Sequence, residues 1–93
     1  MKIIETSRFK KELREIAFYI KRDKLSASIN FVSDLKQQIK QLVNFPYKYR
    51  KSIYFEKESV RDMIFMGYTI VYEIFEDKIE VMMIFNKNKP LIK

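Results

Sequence analysis

The sequence predicts an α+β domain: an N-terminal strand, an antiparallel two-helix hairpin, and a mainly antiparallel sheet completed by a C-terminal three-stranded meander. Three observations carry that prediction. Apolar residues recur every three or four positions over residues 9–20 and again over 27–42, the period of a helix with one buried face. That period stops at Pro46, where the chain turns aromatic and basic. From Val60 onward come three runs rich in β-branched and aromatic residues, punctuated by Gly67 and by Glu76-Asp77-Lys78, as strands and turns require.

Lys2-Ile3-Ile4-Glu5 is the first strand candidate. Thr6 or Ser7 can cap the helix that follows, because a hydroxyl accepts a hydrogen bond from a free first-turn amide. Phe9, Leu13, Ile16, Ala17 and Ile20 form its apolar face, with Lys10, Lys11, Arg14 and Lys21 on the other side. Lys21-Arg22-Asp23-Lys24 interrupts the pattern, and Asp23 is the expected cap of a second helix. There Ala27, Phe31, Leu35, Ile39 and Leu42 make a nearly straight stripe. This helix should stop near Asn44, because Phe45-Pro46 pushes the backbone toward extended geometry. Two amphipathic helices on so short a connection pack as an antiparallel hairpin. Residues 47–58 show no helical period and read as an extended loop or irregular strand. Residues 60–66, 68–75 and 79–85 are the meander strands.

Alternation suggests a register for the last hairpin. A two-residue turn at Asp77-Lys78 would set Glu76 opposite Ile79, Ile74 opposite Val81, Tyr72 opposite Met83 and Ile70 opposite Phe85, one apolar face for the helices to cover. The other face would carry Phe75 with Glu80, Glu73 with Met82 and Val71 with Ile84. Thr69 would then face Asn86, and Glu73 and Glu80 would lie diagonally on a solvated face beside lysines.

The 93 residues fit one domain, 1–93, with no repeat, low-complexity stretch or linker, near the lower size limit for a core without staples. There is no cysteine, which excludes disulfides and thiolate metal sites; without histidine an ordinary zinc centre is not expected, because carboxylates alone suit harder ions. Neither a metal nor a small-molecule cofactor is expected. The start lacks a signal-peptide apolar region, and no run approaches the ~20 apolar residues of a membrane span. A soluble, cytoplasmic protein without a membrane partner is the expectation. A formal charge of +7 favours an anionic partner, nucleic acid or an acidic protein segment.

Taken in order, F-K-K-E-L-R-E-I-A-F-Y-I, the A-x-x-x-F-x-x-x-L-x-x-x-I-x-x-L stripe, F-P-Y-K-Y-R-K-S, V-R-D-M-I-F-M-G-Y-T-I-V-Y-E-I and D-K-I-E-V-M-M-I-F resemble the RelE/ParE superfamily of bacterial type II toxins. The arginine-opened strand, tyrosine-containing strand and I-x-V strand after F-P-x-x-x-R are the more specific part. The resemblance implies helices against a compact antiparallel sheet and a cognate acidic antitoxin encoded next door, in a plasmid-stabilisation or addiction module. It also implies one of two targets: RelE-like members cut mRNA on the ribosome, whereas ParE-like members inhibit DNA gyrase. Many relatives have an arginine after the central strand's first tyrosine and a histidine just past the last strand, positions matched here by Thr69 and Asn86. Asn cannot exchange a proton at neutral pH, and Thr carries no charge for a phosphate. The arginine that often follows the histidine is matched by Lys89, which keeps the charge without the bidentate fork.

Candidate target- or nucleic-acid-binding residues are therefore Lys48, Tyr49, Arg50, Lys51, Arg61, Asn86, Lys87 and Lys89. Interleaved rings and cations in 47–51 suit stacked bases and tracked phosphates; a connector with buried tyrosines and solvated cations explains the same pattern. Arg61 with Asp62 beside it reads either as a phosphate or partner contact or as a surface ion pair of little worth. Asn86, Lys87, Lys89 and Lys93 read as a basic rim for an acidic antitoxin or as a solvated tail. A nuclease would need a proton acceptor, a proton donor and cations, for which Lys48, Lys51, Arg61 and Lys89 are the candidates. The missing histidine tilts the reading toward ParE-like, non-catalytic inhibition of gyrase. The alternatives are a ribosome-dependent mRNA endoribonuclease and a decayed copy that still binds antitoxin.

Overall fold

One side chain joins the first strand, the first helix and the last strand. The computed structural model describes residues 1–86, in the order β1 (Lys2–Glu5), α1 (Ser7–Asp23), α2 (Leu25–Gln41), β2 (Arg50–Lys51), β3 (Val60–Phe65), β4 (Tyr68–Ile74) and β5 (Lys78–Asn86). Thr6 is the cap expected of it: its Oγ1 accepts from the Phe9 amide at 3.1 Å. The same hydroxyl donates to the Met82 carbonyl at 2.9 Å, and the Thr6 amide donates to the Val81 carbonyl at 3.1 Å. The start of α1 is thus fixed against β5, not merely capped.

Asp23 does not cap α2. It remains the last residue of α1, and Lys24 alone, with φ −158, serves as C-cap of one helix and N-cap of the next without a side-chain cap bond. Ser28 Oγ instead donates to the Ala17 carbonyl at 2.7 Å across the hairpin. The second helix ends at Gln41, and a turn carries the chain to Asn44.

The five strands are ordered β1-β5-β4-β3-β2. β1 runs parallel to β5 and all other pairs are antiparallel. Both helices lie on one face of this sheet. There Phe9, Leu13, Phe31, Leu35, Ile39 and Leu42 bury against Met63, Ile70, Tyr72, Ile74, Ile79, Val81 and Ile84. Each fully buried aliphatic or Phe side chain contributes about 1.5–3 kcal/mol of transfer free energy. The opposite face is also covered. Val60, Val71 and Met83 are buried there beneath Tyr54, Phe55, Met82 and Phe85, with the Tyr54 and Phe85 rings edge-on at 5.2 Å.

That second cluster explains why the register expected for the last hairpin is wrong. The turn sits one residue earlier: the Phe75 amide donates to the Lys78 carbonyl and Ile74 faces Ile79. This moves every pair by two and leaves the faces unchanged. Between Val71 and Tyr72 the pairing shifts again, from Val71↔Met83 to Tyr72↔Val81, so Met82 bulges out of β5 and the faces swap beyond it. Met83 and Phe85 join the second cluster, while Ile84 joins the helix-covered core. Thr69 faces Phe85, and Asn86 faces Tyr68. Glu73 and Glu80 are directly opposed, not diagonal, and each is paired with a lysine, Lys57 and Lys78 respectively. Alternation selects a register only when one face is wet; here both are covered.

Candidate functional site

Arg61 lies on β3, second from the edge formed by the two-residue β2, and its side chain turns toward the helix side of the sheet between Lys51 and Tyr72, its cross-strand neighbours. All three guanidinium nitrogens are engaged. Nε donates to the Glu58 carbonyl at 3.0 Å, Nη1 to the Tyr49 carbonyl at 3.1 Å and Nη2 to Glu58 Oε1 at 2.7 Å. The guanidinium carbon also sits 4.7 Å from the centre of the Tyr47 ring, within cation–π range. Only 11% of the side chain is exposed. Across β4 the buried Tyr72 hydroxyl donates to the Pro46 carbonyl at 2.7 Å. Burial pushes the Tyr72 phenol well above its ordinary range, against a smaller opposing pull from Arg61. Two side chains from adjacent strands therefore hold residues 46–49 in place.

The other cations of this corner are more open. Lys48, Arg50 and Lys51 are exposed, and Tyr49 is half-buried against the main core. Lys48 Nζ lies 5.4 Å from the Tyr49 ring centre. Asp62 is not Arg61's partner, as a surface pair between neighbours in sequence would require. It points to the opposite face, is 1% exposed, and accepts from the Ile53 amide at 3.1 Å and from Arg50 Nη2 at 3.4 Å. Its Oδ1 has no hydrogen-bond partner among the described residues. Phe45, Tyr47 and Ile53 stand exposed around the same corner, so it presents rings and cations together.

Asn86 belongs to a different place. It lies at the end of β5, opposite Tyr68, four residues along β4 from Tyr72, or ~13 Å of strand. There a groove of about 440 Å³ runs between α1 and the strand ends, lined by Glu12, Glu15, Tyr19, Tyr68, Ile84 and Asn86 among others. Glu12 Oε1 accepts from the Ile84 amide at 3.1 Å, continuing along β5 from the point where Thr6 and β1 leave it. Burial, with the nearby Tyr19 phenol, raises the Tyr68 pKa. Thr69, expected beside Asn86, is wholly buried on the other face, and its hydroxyl has no hydrogen-bond partner among the described residues. The two positions that the resemblance equates with an arginine and a histidine do not form one patch. Lys87 and Lys89 lie outside the described residues.

The structure thus gathers Lys48, Tyr49, Arg50, Lys51 and Arg61 at one corner and leaves Asn86 apart. Three residues that matter here escaped the sequence reading: Glu58, Asp62 as a buried acceptor, and Tyr72 as an anchor. A signal existed for Tyr72, since a turn at Met66-Gly67 sets Phe65 opposite Tyr68 and hence Arg61 opposite Tyr72. Among the described residues no three or more Asp and Glu side chains converge as metal ligands, and no helix is long and apolar enough to cross a membrane.

A strand, a helical hairpin and a mixed sheet in this order define an α+β fold shared with the solved "Chromosomal ParDE TA system from P. aeruginosa". The two are alike with a TM-score of 0.72 and 17% identity, over 90% of this chain and 92% of that one. The family model described as ParE toxin of type II toxin-antitoxin system, parDE, matches residues 3–89. The chain belongs to that ParE toxin family, and membership implies an antitoxin partner. No curated protein matches the sequence.

Proposed function

We propose that the free protein arrests growth in the cytoplasm by binding DNA gyrase, and that an acidic antitoxin neutralises it. The observation that carries a binding mode over a nuclease is the chemistry of the basic corner. Arg61 has each of its nitrogens committed within the chain, and the Tyr72 hydroxyl, its pKa raised, is committed to the Pro46 carbonyl. The sequence has no histidine to shuttle a proton. Cleavage by a 2′-hydroxyl needs a group that takes a proton and one that returns it, whereas inhibition by binding needs a positioned surface only.

One observation supports the nuclease reading. Exposed Phe45 and Tyr47 beside Lys48, Arg50 and Lys51 suit single-stranded RNA. The two readings separate on induction without antitoxin, with new 5′ ends mapped across cellular mRNAs and supercoiling by purified gyrase measured with added protein. Growth arrest with intact messages and loss of supercoiling is the expected result. Cuts at fixed codon positions would replace gyrase by ribosome-bound mRNA. Normal growth with soluble protein would make this a decayed copy.

A further inference from the structure

The two edges of the sheet differ. β2 pairs only with Arg61 and Asp62, so among the described residues no strand lies on the outer side of residues 63–65 of β3. The ladders fix which groups point that way. Phe65 closes the β3–β4 hairpin opposite Tyr68, and the Ser52 amide donates to the Val60 carbonyl. Odd-numbered β3 residues therefore bond inward to β4 and even-numbered ones outward. Ile64 presents its N–H and C=O to the open side.

The side chains at this edge are out of keeping with a solvent boundary. Ile64 is 40% exposed and Met66, at the hairpin tip, 70%. Met66 has φ 48 and Gly67 φ 84, a two-residue turn whose first position suits Asn, Asp or Gly. An unbranched apolar residue is held in a left-handed conformation and left in water, which the hairpin itself does not need. Strain of this kind persists where it serves a contact. Lys51, exposed on β2, brings positive charge to the start of the open stretch, beside the exposed Arg50, whose Nη2 reaches Asp62 at 3.4 Å. The other edge is blunted as natural edges are: β1 is four residues long, begins with Lys2 and ends at Glu5, which Lys36 holds at 2.7 and 2.9 Å.

We propose that this edge of β3 accepts an extended acidic segment of a partner protein by strand addition. The segment's backbone pairs with Ile64, an apolar side chain packs on Ile64 and Met66, and carboxylates meet Arg50 and Lys51. The inference rests on the toxin–antitoxin reading, which supplies an acidic partner. A second copy of this chain is the weaker occupant, because edge-to-edge pairing would bring together cationic strands of two molecules each carrying +7.

The test compares backbone amide exchange in the purified protein alone and in its complex with the acidic protein encoded beside its gene. The Ile64 amide should exchange at least about a hundredfold more slowly in the complex, with the Ile3 amide on the β1 edge unchanged. Met66→Asn should relieve the turn, keeping or raising Tm, yet weaken the complex about fivefold or more. A complex in which Ile64 exchanges as in the free protein, or in which Met66→Asn binds with unaltered affinity, overturns strand addition and leaves the antitoxin reading standing. Concentration-dependent protection of Ile64 in the protein alone overturns it in favour of a second copy. Absence of any complex overturns both readings at once.

Discussion

Arg61 and Tyr72 face each other across β3 and β4 and hold the same few residues of loop, one through the Tyr49 carbonyl and the other through that of Pro46. Arg61→Ala should cost about 2 kcal/mol in urea unfolding, since a hydrogen bond from a charged group is worth about 1.5–3 kcal/mol. The exposed Glu58 carboxylate adds little to that figure. A cation kept only for a ligand would leave stability unchanged, so the measurement separates the two roles. Tyr72→Phe should cost about 1 kcal/mol by leaving the Pro46 carbonyl unpaired. A pH scan reads the same contact. The folded-state pKa of Tyr72 lies above the ordinary value of 10.0, so the folded state keeps a proton that the unfolded chain gives up. Its contribution is complete below pH 10 and declines as the pH climbs beyond it. The wild type should lose stability above pH 10 more steeply than Tyr72→Phe; parallel curves would remove Tyr72 from the account.

At the scale of elements, Thr6 is the residue with most resting on it, for its hydroxyl caps α1 and holds the bulged Met82 carbonyl. Thr6→Ala should therefore cost more than the ~1 kcal/mol of an ordinary cap, and Thr6→Ser should recover most of it in thermal melts. The helices were legible in the sequence because Phe9-Leu13-Ile16 and Phe31-Leu35-Ile39 declare a single wet side. The central strands were legible as strands for the same reason that their register was not. Val81-Met82-Met83-Ile84-Phe85 has no polar residue to mark a face, because residues 54–55 cover what the helices do not. A bulge inside such a run changes no local pattern. The basic corner was visible as composition, but not as two sets: nothing short of the β2–β3 and β3–β4 registers sends Arg61 to one face and Asp62 to the other.

For the whole molecule, the excess of seven positive charges sets the character of any association with an acidic protein. Antitoxin binding should weaken as salt rises from about 0.05 to 0.5 M, mainly through a slower on-rate. Lys87→Glu combined with Lys89→Glu should weaken it by more than the ~1 kcal/mol of one exposed ion pair; unchanged affinity by calorimetry would take both lysines out of the interface.

The parallel seam between β1 and β5 has a consequence for how the protein comes into being. Ile3 pairs with Ile79 and Glu5 with Val81, so the first strand made must wait for the last one. At ~5–20 residues per second of synthesis, that wait is several seconds, during which α1 has no β5 to anchor Thr6. A nascent chain thus lacks an anchored α1, and a message broken before the codon for Val81 yields no complete β1–β5 seam. The β3 edge proposed to take a partner strand is built from residues 50–74, so it is synthesised before the seam that anchors α1.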